Sequence, residues 1–140
     1  MSDFKNEAAR LAAKAVTMLK ERPGGQLDYS EASLQSVEDA LSECAECDIP
    51  ERMKKQLVQE FGCYILEVAR KKFGGDYQWH EQRDQPVLVV GEPACHIAIM
   101  TWDKVRSRLD GDEADNIPFF YAGFSEKVRN AAPGTRTLYV

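Results

Sequence analysis

Six residues of this 140-residue sequence are of the types that do covalent or metal chemistry: Cys44, Cys47, Cys63, Cys95, His80 and His96. Cys44 and Cys47 stand as a CxxC, a spacing that holds zinc when two further ligands complete a tetrahedron. The other thiols and imidazoles show neither a second CxxC nor a paired-histidine spacing, so no metal centre is expected. A redox CxxC sits just after a strand, where a helix N-terminus lowers the pKa of the attacking thiol. Here the pair falls at the C-terminal end of a predicted helix, with Glu43, Glu46 and Asp48 beside it, and both features disfavour a thiolate. Cys44 is therefore expected as a small core residue and Cys47 near the surface.

A cysteine nucleophile needs a histidine base in hydrogen-bond reach and a third group to orient it. Cys95 and His96 are adjacent, and on a strand their side chains point to opposite faces. Cys63 with His80 is the remaining pairing, across a contact between a helix and a sheet, and nothing in the spacing selects it. The sequence contains no glycine-rich phosphate loop, GxSxG elbow or HExxH, and "GEPACH" lacks the strand-to-helix setting such motifs require. The carboxylates fall in helical surface patterns or in the loop "DGDEAD", which contributes Asp110, Asp112, Glu113 and Asp115. No catalytic residue and no cofactor are expected.

These residues must be positioned by helices first and strands second. Apolar groups at Phe4, Ala8, Leu11, Ala15, Met18 and Leu19 recur at three and four, predicting an amphipathic helix over 3–22. Its stripe serves equally for packing inside the domain or for a homodimer. Pro23, Gly24 and Gly25 end it and form the one hinge-like stretch. A second helix is predicted from Ser30, an N-cap hydroxyl followed by Glu31, to about Cys47, on the stripe Leu34, Val37, Leu41 and Cys44. A third begins after Asp48 as cap, with Pro50 in its first turn, and ends at Gly74 and Gly75.

On a helical wheel, Leu57, Phe61, Ile65, Val68 and Ala69 share the apolar face of that third helix, widened by Gly62 and Leu66. Glu60, Cys63, Glu67, Arg70 and Lys71 lie toward the other side. Glu67 and Lys71 are thus expected as an exposed pair worth roughly 0.2 to 0.5 kcal/mol. A mid-helix glycine costs about 1 kcal/mol against alanine, so Gly62 is expected to admit a close neighbour, the sheet near Trp79.

After Gly75 the period changes to two. Tyr77 and Trp79 share a face, "PVLVV" is a buried run, and Ile97 and Ile99 alternate, predicting three strands joined by the hairpin-length connections "EQRDQ" and "GEPA". Thr101 is expected to cap a short helix through Leu109, "NIPFFYAGFSEKVRNA" reads as another helix, and "TRTLYV" as a closing strand. The fold class is α+β: N-terminal helices packed on a small antiparallel sheet, a three-stranded meander with the C-terminal strand added, in one domain over 1–140.

With 44% hydrophobic residues the chain can bury a core without staples. Eighteen basic against 23 acidic residues give a net charge of −5, which argues against nucleic acid and anionic membranes as partners. The opening "MSDFKNEAAR" is charged where a secretory signal is apolar, and no window approaches the roughly 18 apolar residues of a spanning helix, so a cytoplasmic location is expected. Four cysteines do not suggest a disulfide scaffold.

The succession "YSEASL" (29–34), "GCYILEV" (62–68), "GGDYQW" (74–79) and "WDKVRSRLDG" (102–111) resembles a family of small bacterial α+β domains with the pattern Tyr-Ser-x-x-Ser, Gly-x-Tyr-x-x-Glu-Val and Gly-Gly-x-x-Trp, with one residue more before Trp79 here than in that pattern. The resemblance covers residues 29–111. It implies a cytoplasmic domain without established enzyme chemistry, in which Tyr64, Glu67 and Trp79 are recurring positions. Some families of this size and acidity look like immunity proteins that neutralise a cognate toxin. Two functions are therefore expected in competition. One is a protein-binding domain whose acidic loop, Asp110, Asp112, Glu113 and Asp115, meets a basic partner. The other is a small-molecule binder or enzyme with Tyr64, Glu67, Trp79 and His80 lining a pocket between sheet and helices.

Overall fold

A computed structural model describes residues 3–22 and 25–140. The helical periodicity of the first half appears as α1 (Asp3–Met18), α2 (Leu34–Ala45) and α3 (Glu51–Phe73), and the second half adds α4 (Trp102–Leu109) and α5 (Ile117–Asn130). The alternating segments form β1 (Asp76–His80), β2 (Gln85–Val90), β3 (His96–Ile99) and β4 (Arg136–Tyr139), in sheet order β1-β2-β3-β4. The fold is α+β. The first three strands are the expected antiparallel meander, with Tyr77 opposite Leu88 and Leu88 opposite Ile99. β4 joins β3 in parallel, His96 opposite Arg136, so the sheet is mixed rather than antiparallel throughout. The crossover through α4 and α5 between β3 and β4 makes the parallel pairing reachable.

Local chemistry explains the element ends. Ser30 accepts from the Ser33 amide, as expected of a cap, but it starts a 3-10 turn (Glu31–Ser33) rather than α2 itself, which ends before Cys47. Asp48 does not cap α3: Pro50 holds that position and offers no side-chain bond. Gly74 and Gly75, at φ 78° and 106°, take left-handed conformations and end α3, as its expected terminators. Of the expected hinge, Pro23 and Gly24 lie outside the described residues, and the Gly25 amide donates to the Arg22 carbonyl at 3.0 Å.

α3 is the central helix, flanked by α1 and α4 and packed on β2. One apolar cluster runs from Ala12 and Ala15 of α1 through Phe61, Tyr64 and Ile65 of α3 to Leu88, Ile97, Ile99 and Phe124. The α1 stripe is thus used within the chain, with Ala8, Leu11 and Ala15 buried; Met18, expected in it, is 47% exposed. Val87, Val89, Ala98 and Met100 form a smaller cluster of their own. Among the described residues no helix is long and apolar enough to cross a membrane.

The close approach at Gly62 is present, but its neighbour is α4 and not Trp79. A Cβ at Gly62 would collide with Trp102 Cδ1 and stand 3.1 Å from its Nε1 and 3.3 Å from Thr101 Oγ1. Thr101 holds the expected N-cap position of α4, but its hydroxyl donates to the Gly62 carbonyl at 2.6 Å rather than capping the helix. Gly62→Ala is therefore expected to destabilise. Overpacking costs up to about 3 kcal/mol and alanine returns about 1 in helix propensity, leaving a net loss of up to about 2 kcal/mol, read as a lower urea midpoint.

Candidate functional site

The structure places Tyr64 and Glu67 in the interior, where each centres a bonded group. The Tyr64 hydroxyl lies 2.6 Å from Ser33 Oγ and accepts from the Tyr29 amide at 2.7 Å, fastening the segment before α2 to α3. Burial pushes its phenol upward in pKa, only partly offset by these bonds. Tyr64 thereby acts as a strut in the core.

Glu67 is 1% exposed, not on the solvent face expected of it. Its carboxylate receives Arg70 Nε at 2.8 Å and Nη2 at 3.0 Å, and the Tyr77 hydroxyl at 2.6 Å. The partner is therefore Arg70, three residues on, rather than Lys71. Glu60 and Cys63 are buried with it, at 1% and 0%. The reason is that α1 covers the side of α3 that a one-faced wheel assigns to water. Burial raises the Glu67 carboxyl, but the bonds from Arg70 and Tyr77 outweigh it and hold the group below its ordinary pKa. Burial and the neighbouring carboxylate push the Tyr77 phenol well up.

Trp79 and His80 are not gathered with these two at a cavity. Trp79 packs edge-on against Trp102, ring centres 6.0 Å apart, and donates to Asp84 Oδ1 at 3.3 Å. His80 Nδ1 accepts from the Arg83 amide at 3.2 Å, within the turn between β1 and β2. Of the acidic loop, Asp110 pairs with Lys54 at 2.7 Å and Asp112 caps a 3-10 turn (Glu113–Asp115) through the Ala114 amide. Asp110, Asp112 and Glu113 face solvent. The loop leads directly into α5, whose first turn is held by Asn116 Oδ1 accepting from the Phe119 amide at 3.0 Å. Phe119 itself is 79% exposed.

The thiols are free. Cys63 sits in a small cluster with Ala8 and Leu11, against Phe4, Tyr77 and Trp102. Burial pushes its thiol up to about 12, which suppresses the thiolate a nucleophile needs. Cys44 is half-buried and Cys47 exposed, the latter donating to the Glu43 carbonyl at 3.5 Å. Cys95 donates to the Ala132 carbonyl at 3.3 Å, while His96 Nδ1 meets Glu92 Oε2 at 2.7 Å. Among the described residues no group of three or more His, Cys, Asp or Glu is arranged to hold a metal ion.

Two polar centres have no counterpart in the sequence reading. Glu31, at the start of the 3-10 turn before α2, lines a groove of about 520 Å³ along α5. It accepts from the Tyr121 hydroxyl at 2.7 Å and Arg129 at 3.0 Å. Glu38, 6% exposed, joins Arg108 at 2.8 Å and the Ile117 amide at 3.0 Å. Both carboxylates sit on helix positions that read as ordinary surface acids, and their partners lie 70 or more residues away for Glu38 and 90 or more for Glu31. The only local signal is that Glu38 follows Leu34 by four, on the edge of the apolar stripe.

No protein-family model matches the chain, and neither the curated proteins nor the solved structures contain a significant match to it.

Proposed function

We propose that this chain is a non-catalytic, cytoplasmic protein-binding domain that docks a basic partner on the acidic loop 110–115 and the first turn of α5. The observation that carries it is Phe119. A phenylalanine side chain left 79% in water, directly after a loop bearing Asp112 and Glu113 on the solvent side, forfeits about 2 kcal/mol of burial that a partner can recover. An aromatic anchor rimmed by charge is the usual anatomy of a protein interface, and the acids would steer a cationic partner toward it. The buried thiol, the histidine held in a turn and the internally bonded carboxylates support a binding role over chemistry. One form is an immunity-type protein covering the basic surface of a toxin.

Affinity capture from the native host, with bound proteins identified by mass spectrometry, tests the proposal when wild type is compared with Phe119→Ala and with a double variant, Asp112→Lys and Glu113→Lys. A basic polypeptide should be retained by wild type. Phe119→Ala should weaken it about 30-fold, equivalent to about 2 kcal/mol, without changing thermal stability. Equal retention by all three proteins would remove this surface from consideration.

A further inference from the structure

The turn between β1 and β2 meets the start of α4 and the first half of α3 at a cleft of about 200 Å³, separate from the acidic loop. Gln85 lines it at the first position of β2, 1% exposed. Its Oε1 accepts from the Trp102 amide at 3.1 Å, which fixes the orientation of the carboxamide. Its Nε2 is buried and has no hydrogen-bond partner among the described residues. An orphaned buried donor costs about 1 to 3 kcal/mol, and native proteins rarely leave one without a ligand or water to serve.

The surroundings of that donor favour an anion. Trp102 opens α4, so the positive end of the helix dipole forms one wall. Thr101 does not cap this end, because its hydroxyl is committed to the Gly62 carbonyl; the Trp102 amide is met by Gln85 Oε1 instead. Lys55, Arg83 and Arg106 also line the cleft. Arg83 is paired with Asp103 at 2.9 Å and Arg106 with Glu51 at 2.8 Å, whereas Lys55 has no ion-pair partner among the described residues. The two acids on the wall are engaged as well, Asp103 by Arg83 and Asp84 by the Trp79 indole. The lining groups left without a partner among the described residues are thus the Gln85 N–H and the Lys55 ammonium, both donors, while the acids Asp103 and Asp84 are each already engaged.

We infer that this cleft binds a small oxyanion, a carboxylate or phosphate group, which accepts from Gln85 Nε2 and neutralises Lys55 at the start of α4. The cleft, about 200 Å³, has room for inorganic phosphate or the carboxylate of a short organic acid.

Titration of the full chain at low ionic strength with inorganic phosphate, and separately with acetate, followed through the Gln85 side-chain amide and Trp102 backbone amide NMR signals, tests the inference. At least one anion should shift both signals saturably in the millimolar range, and whichever does so identifies the source of the oxyanion. Gln85→Glu keeps an acceptor for Trp102 but puts a negative charge in the cleft, and should abolish saturation. Lys55→Ala, at an exposed position that cannot compromise folding, should weaken binding by about five- to tenfold. If neither anion saturates, the cleft holds water alone and the inference is overturned. Binding by Lys55→Ala as tight as wild type would overturn it too, whether or not the Gln85 variant folds.

Discussion

Glu38→Ala should lower the stability of the protein by about 3 to 5 kcal/mol, the largest loss expected of any substitution considered. The carboxylate and its partner Arg108 are both almost fully enclosed, at 6% and 5% exposure, so deletion leaves a guanidinium in the interior without its counter-charge. The second carboxylate oxygen receives the amide of Ile117, the first residue of α5. That N–H is one of the donors a helix start leaves without an intrahelical acceptor, and it too would lose its partner. One side chain on α2 thus ties α4 to the origin of α5, and the effect should be global rather than local. Urea unfolding would show a lower midpoint with an unchanged slope, since the surface exposed on unfolding stays nearly the same. Replacing both partners together, Glu38→Met with Arg108→Met, should recover most of the loss, because no buried charge is then left unpaired. A Glu38→Ala protein as stable as wild type would mean that Arg108 reaches water once released.

The same residue shows where local sequence reading stops. Ser30, Gly74, Gly75 and the alternation of Tyr77 and Trp79 act through neighbours a few positions away, and the structure has a helix cap, a helix end and a strand there. Glu38 is decided by Arg108, 70 residues on, and no periodicity encodes that distance. β4 is legible as a strand in "TRTLYV", yet its parallel alignment with β3 depends on the path of α4 and α5 between them. The close contact at Gly62 is legible as a helix glycine that needs a reason; the identity of its neighbour, Trp102 rather than Trp79, depends on how α4 docks. The acidic loop is plain in composition, but the exposure of Phe119 beside it is not, since a phenylalanine in a helical pattern reads as core. The orphaned amide of Gln85 is likewise visible only once β2 and α4 meet.

Glu67 carries the second large effect, and it should depend on pH. Glu67→Ala removes the acceptor of the Tyr77 hydroxyl, the bond that joins α3 to β1, and of two Arg70 nitrogens within α3. A hydrogen bond to a charged acceptor contributes about 1.5 to 3 kcal/mol, while Arg70, with a side chain 24% exposed, can turn to water. The loss should therefore be about 2 to 3 kcal/mol, smaller than at Glu38. The folded-state carboxyl is held below its ordinary pKa despite the burial that pulls it upward. A carboxyl depressed in the folded state stabilises fully above its unfolded value of about 4.3, and that contribution disappears as the pH falls through the folded value. Glu31, also depressed because its bonds from Tyr121 and Arg129 outweigh burial, adds to the acid sensitivity with the same sign. Glu67→Gln isolates one contribution: it retains an acceptor for Tyr77 but never ionises. Its urea midpoint should lie below that of wild type at pH 7, and the gap should close as both are taken down toward pH 3. A gap of constant width would place the stabilisation in the shape and packing of the side chain, and the charge-assisted bond between α3 and β1 would then lose its energetic role.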